Sequence, residues 1–215
     1  MKSILVYGDS LVYGKMQKTV QRYSREKNFI GILEKELGNE FEVADEGLRA
    51  RMLSGENKFF PERDGLLQFG PILGSHLPLD LVCLFLGTND CNRGSDKSEG
   101  EIHEALGGYK HKITFWCQNL GITKIPKILL IAPPLVRGNQ VILDEGISQV
   151  FDSNSEDKSK RLKDIYKNFC DKEDCLFFNA ADFCVAAGNE GVHLDEENNV
   201  SLGKALADKI KEINL

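Results

Sequence analysis

One segment narrows the possible folds more than any other: Leu79-Asp80-Leu81-Val82-Cys83-Leu84-Phe85-Leu86, with a single polar residue in its whole length. A strand this apolar has to be covered on both faces, as a central strand of a parallel sheet is. The rest of the chain fits that setting. Ile4-Leu5-Val6-Tyr7 reads as a first strand, 40–44 as a second, 127–132 as a fourth and 175–178 as a fifth. Amphipathic stretches separate them. Phe29, Ile32, Leu33 and Leu37 have helical spacing, and Gly38 offers a C-cap. Residues 62–77 read as helical, with Gly70-Pro71 predicting a kink or a split. Helices are also expected over 101–120, 156–170 and 200–213. Alternating β and α segments predict an α/β fold, a three-layer α/β/α sandwich on a flavodoxin-like five-stranded parallel sheet. No repeat, low-complexity tract or linker interrupts the pattern, so a single domain over 1–215 is expected.

Composition removes several function classes. A net charge of -6 offers no electrostatic footprint for nucleic acid or anionic lipid, while small neutral or cationic substrates remain open. No apolar stretch approaches the ~18 residues that a membrane span needs. Met1-Lys2 runs straight into the first strand, leaving no room for a signal peptide. The six cysteines are scattered without Cys-x-x-Cys spacing. Cys83 reads as a small core residue, and Cys170 and Cys175 have no histidine nearby, so no metal and no cofactor is expected. The expectation is a reduced, cytoplasmic protein.

In parallel α/β sheets ligands bind beyond the carboxyl ends of the strands, so the residues following each strand carry the functional information. Gly8-Asp9-Ser10-Leu11 follows the first strand, Asp45-Glu46-Gly47-Leu48-Arg49-Ala50-Arg51 the second and Gly87-Thr88-Asn89-Asp90 the third. Ala132-Pro133-Pro134 follows the fourth, and a loop after the fifth leads to Glu190-Gly191-Val192-His193. A serine between a strand end and a helix has a free hydroxyl and an unpaired amide, although Asp9-Ser10 also suits a plain turn and helix cap. Of the four histidines, only His193 lies in a strand-end loop with a carboxylate three residues before it. His76 precedes the third strand, and His103 and His111 fall on a surface helix; these three read as structural or solvated. Ser10 and His193 can thus serve as nucleophile and base of an acyl-transfer site.

With these blocks the chain resembles the SGNH, or GDSL-type, serine hydrolases, whose motifs are an early Gly-Asp-Ser, a central Gly-x-Asn-Asp and a late Asp-x-x-His. The resemblance is to the bacterial arylesterase and acyltransferase branch, which includes perhydrolase-like members. It extends through Phe41-Glu42-Val43, Glu46-Gly47-Leu48, His76-Leu77-Pro78-Leu79-Asp80-Leu81-Val82, Pro126-Lys127-Ile128, Gly191-Val192-His193, Asn198-Asn199 and Leu202-Gly203. It implies Ser10 as nucleophile and His193 as general base. Asn89 would be an oxyanion donor through its side chain, with the amides of Ser10 and Ala50 as further donors. Ala50 stands where the family usually has glycine, which leaves Gly47 as a turn residue. Glu190 stands where the family has aspartate. It is read as the triad acid, since carboxylates of either length orient the histidine in serine hydrolases; Asp195 and Asp182 are the substitutes.

The resemblance also implies small acyl groups, a homo-oligomer and aromatic residues forming a narrow channel beside the nucleophile. Lys15 occupies one place where such an aromatic is expected. Phe59-Phe60 and Val141-Ile142-Leu143 are candidate walls of an acyl cleft. The reading is a serine esterase for small acetyl-like esters, with acyltransferase activity as an extension. A carbohydrate acetylesterase using the same triad is one alternative. A non-catalytic flavodoxin-like module with a degraded site is another. The expected partner is a small ester substrate, with neither nucleic acid nor membrane.

Overall fold

The computed structural model describes residues 1–188 and 190–215. Five strands, β1 (Lys2–Gly8), β2 (Phe41–Gly47), β3 (Leu81–Phe85), β4 (Lys127–Ala132) and β5 (Leu176–Asn179), form one sheet in the order β2-β1-β3-β4-β5. All four pairings are parallel. Among the described residues seven α-helices connect and cover the strands: α1 (Ser10–Tyr13), α2 (Phe29–Leu37), α3 (Gly65–His76), α4 (Glu99–Asn119), α5 (Gly138–Val141), α6 (Asn154–Glu173) and α7 (Glu196–Lys211).

The two-residue period of the strands sorts their side chains into two cores. Leu5, Tyr7, Val82, Leu84 and Leu130 pack against Phe69 and Leu73 of α3, Tyr109 and Ile113 of α4, and Leu162 and Tyr166 of α6. Ile4, Val6, Cys83, Phe85 and Ile131 face the other way, toward Phe29 and Leu33 of α2 and Leu202, Leu206 and Ile210 of α7. This is the expected α/β/α sandwich, and it explains the uninterrupted apolar run of β3.

Some element bounds differ from expectation. β2 runs three residues past its predicted end because it pairs with β1 along its whole length, from Lys2↔Phe41 to Gly8↔Gly47. The predicted kink at Gly70-Pro71 is absent as a break: α3 continues through Pro71. Pro71 and Leu67 are both exposed, so water can take the Leu67 carbonyl that loses its donor. α7 starts earlier than predicted because Asp195 caps it, accepting from the Asn198 amide at 2.9 Å.

Candidate active site

The end of β1 delivers Ser10. Asp9 caps α1 by accepting from the Leu11 amide at 2.9 Å, and the helix lasts only until Gly14, which takes a left-handed conformation. As the first helical residue, Ser10 has an amide with no intrahelical acceptor. Close packing holds this short helix against β2. A Cβ added at Gly47 would come within 2.2 Å of the Tyr13 nitrogen. Gly47 is therefore not a turn residue, as expected from its neighbours, but the last residue of β2, where only a hydrogen fits.

The loop before α7 delivers the other partners. His193 Nε2 lies 2.9 Å from Ser10 Oγ, and His193 Nδ1 is hydrogen-bonded to Glu190 Oε1. Ser10, His193 and Glu190 are 4%, 5% and 1% exposed, so the line is closed to bulk water along most of its length. Burial disfavours the charge on Glu190, but the hydrogen bond and charge of His193, and then Lys15, outweigh it and hold the carboxyl down at about 2. Glu190 is thus an acceptor only, so Nδ1 carries the proton and Nε2 is left to accept from Ser10. Burial lowers the pKa of His193, and Lys15 and Arg49 lower it further, against the opposing pull of Glu190. Such a line can take the hydroxyl proton from Ser10 and pass it on.

The loops after β2 and β3 close the site. Asn89 donates its side-chain amide to the Arg51 carbonyl at 3.1 Å and, less tightly, to Asp9 Oδ2 at 3.3 Å. Burial raises the pKa of Asp9 to about 7, so this carboxyl holds a proton at weakly acid pH. Asp90, next in the motif, serves the scaffold, accepting from the Leu53 amide at 2.7 Å and from Lys97. Ala50 sits at φ 63°, and its carbonyl accepts from Asn57 Nδ2 at 3.0 Å.

An L-residue in the left-handed region is strained by roughly 1–2 kcal/mol, partly offset by glycine's larger unfolded-state entropy. Ala50→Gly is therefore expected to raise the melting temperature by about 1–3 °C. A lower Tm in thermal denaturation would show that the methyl group packs usefully.

No family model matches the chain, and no curated protein matches it. Solved structures do. A carbohydrate acetylesterase from Sinorhizobium meliloti superposes with a TM-score of 0.89 at 32% identity, over 98% of this chain and 99% of that one. The aryl esterase of M. smegmatis, in an inhibitor-bound form, gives a TM-score of 0.90 at 28% identity, over 98% of this chain and 99% of its own. The chain belongs to the GDSL-type (SGNH) serine hydrolases.

Against this GDSL-type frame the site shows several residues that sequence reasoning did not single out for a role. Lys15 Nζ contacts Glu190 Oε1 at 3.0 Å, and the Lys18 amide donates to Glu190 Oε2 at 3.0 Å. Gln17 Nε2 donates to the carbonyls of Ala187 and His193 at 2.8 and 2.9 Å. Residues 15–18 thus strap the histidine loop to the serine helix. The one sequence signal was Lys15 itself, a cation where the family resemblance suggested an aromatic. Arg51, only 3% exposed, stacks on Tyr7 with 4.1 Å to the ring centroid. Its guanidinium donates to the Gly8 carbonyl at 2.8 Å and to the Glu46 carbonyl, so one side chain from the loop after β2 holds the ends of β1 and β2 together. Nothing in the sequence around Arg51 announces that role.

The other candidates fall elsewhere. Asp195 is the α7 cap, and Asp182 accepts from Asn179 at 2.7 Å. His76 bonds Glu46, while His103 and His111 pack on Phe169 and Phe115. Phe59, Phe60, Ile142 and Leu143 are exposed. Val141 is not a wall residue: it is fully buried in the α3/α4/α6 core. Among the described residues no helix is long and apolar enough to cross a membrane, and no cluster of three His, Cys, Asp or Glu could hold a metal.

Proposed function

We propose that this chain is a metal-free serine esterase acting on small acyl esters. The observation that carries the reading is the continuous hydrogen-bonded line Ser10–His193–Glu190. In the proposed reaction Ser10 Oγ attacks the ester carbonyl as its proton passes to His193 Nε2. The oxyanion is held by the amides of Ser10 and Ala50 and by Asn89, whose longer bond to Asp9 is the one an oxyanion can replace. The alcohol departs with the proton from Nε2. Water then gives a proton to Nε2 and attacks the acyl-enzyme, which releases the acid and restores the serine. The base must be neutral, so kcat/KM is expected to rise through a pKa below the 6.5 of ordinary histidine and then level off.

The deciding experiment combines organophosphonate labelling with hydrolysis of p-nitrophenyl acetate and octanoate. One phosphonyl group mapped to Ser10, with loss of acetate turnover in step, is expected. Acetate hydrolysis that survives full labelling would sink the reading. The octanoate-to-acetate ratio sizes the acyl site.

The 32% identity to a carbohydrate acetylesterase favours a second reading, the same triad acting on acetylated sugars. A panel of aryl acetates against acetylated sugars separates the two. The bond between His193 and Glu190 argues against a non-catalytic module. Transfer to alcohols would have to proceed with Lys15 where the resemblance implies a channel aromatic. One sheet drawn from strands between residues 2 and 179 supports a single domain over 1–215. The exposed Phe59, Ile142 and Leu143 support a homo-oligomer, and six free cysteines, all but Cys175 buried, support a cytoplasmic setting.

A further inference from the structure

We propose that Lys15 is a positioning residue of this site: its ammonium fixes the Glu190 carboxylate where it can meet His193 Nδ1. The proposal rests on the serine-esterase reading above. It starts from a stereochemical problem. Glutamate at the acid position has one more rotatable bond than the aspartate of the family motif, so its carboxylate has more ways to miss the imidazole.

The structure removes that freedom from both oxygens. Oε2 accepts from the Lys18 amide at 3.0 Å, and Oε1 accepts from Lys15 Nζ at 3.0 Å as well as from His193. Lys15 also donates to the Met16 carbonyl at 3.3 Å. Its side chain is only 10% exposed, an unusual burial for lysine and one that requires a paired charge. The backbone adds a second link, since the Lys15 amide donates to the carbonyl of Ser10 at 3.0 Å. One residue therefore holds the nucleophile's helix with its main chain and the triad acid with its side chain.

Lys15 also acts on the charge of the base. Nζ stands 3.4 Å from His193 Nδ1, and because that nitrogen gives its proton to Glu190, the contact is repulsive toward the imidazolium. The charged groups facing His193 are Glu190, which favours its protonation, and Lys15 and Arg49, which oppose it. Those facing Glu190 are His193 and Lys15. Loss of the Lys15 charge should thus raise the pKa of the base wherever Glu190 stays held, while loosening of that acid works the other way.

The test is kcat/KM for p-nitrophenyl acetate between pH 5 and 9 in wild type, Ser10→Ala, Lys15→Met, Lys15→Gln and Lys15→Met combined with Glu190→Gln. Lys15→Met is expected to lower the plateau roughly 10- to 100-fold, as small misplacements of catalytic groups do. Where Glu190 stays held, the midpoint should move up by on the order of one pH unit. Lys15→Gln keeps a donor to Glu190 without the charge, so it should show the shifted midpoint with a smaller rate loss. It reads the same shift if Lys15→Met does not fold. In the Glu190→Gln background, Lys15→Met should cost little further rate, because no carboxylate remains to be held. An unshifted midpoint in Lys15→Gln, which keeps a donor to Glu190, or an equal rate loss in both backgrounds, would overturn the proposal. Activity that persists in Ser10→Ala would overturn the esterase reading instead.

Discussion

Ser10→Ala is expected to remove essentially all ester turnover, a fall on the order of 10⁶ in kcat, as when the serine protease subtilisin loses its nucleophile. The size of the effect follows from the site's economy of parts. Among the described residues nothing else bonded to His193 Nε2 can form an acyl-enzyme: the imidazole points at Ser10 Oγ at 2.9 Å, and its other nitrogen is committed to Glu190. Residual catalysis would come from the oxyanion donors and from binding, which survive the change. Fold stability should fall by no more than about 1–3 kcal/mol, because the change leaves the buried His193 Nε2 without its partner but keeps the Asp9 cap on the Leu11 amide. Measuring p-nitrophenyl acetate hydrolysis alongside the melting curve separates the two effects. A variant that melts like wild type yet keeps more than a few per cent of its rate would remove Ser10 from the mechanism.

The part of this site that the sequence announced is the part that topology controls. An apolar β3 and alternating amphipathic segments specify a parallel sheet, and the parallel sheet places every strand-end loop on one edge. Ser10, Asn89, Glu190 and His193 could therefore be grouped before any contact was known, while Ala50 came from the family resemblance alone. What the pattern could not carry was the bonding of long polar side chains. Arg51 grips the carbonyls of Gly8 and Glu46 and stacks on Tyr7, yet its spacing is that of any loop arginine. Gly47 reads as a turn glycine, but its need arises from Tyr13, far away along the chain. The same holds for Pro71, whose effect depends on which side of α3 faces water. Helix-breaking rules describe the local chain; tolerance is set by surroundings that local rules do not see.

Glu190→Gln is the second large effect, an expected loss of up to about 10⁴ in kcat, as for other triads that lose their acid's charge. The argument turns on donors. Glu190 accepts from Lys15 and His193 at Oε1 and from the Lys18 amide at Oε2, so both ends must be acceptors. A glutamine has one. If its oxygen faces His193, its NH₂ is pressed against the Lys18 amide, leaving two donors opposed in a site that is nearly closed to water. If the amide turns over, the NH₂ meets the Lys15 ammonium and Nδ1. The histidine is then driven to carry its proton on Nε2, where it can no longer accept from Ser10. Either orientation damages the relay. Loss of the anion also withdraws the one charge that supports imidazolium, so the remaining activity should titrate at lower pH than in wild type. Glu190→Asp keeps two acceptors but shortens the reach away from Lys15 and Lys18, and should retain more activity than Glu190→Gln. The three pH–rate profiles check this ordering. Equal rates in wild type and Glu190→Gln would mean that His193 works as a dyad with Ser10 and that the Lys15 and Lys18 contacts only fasten a loop.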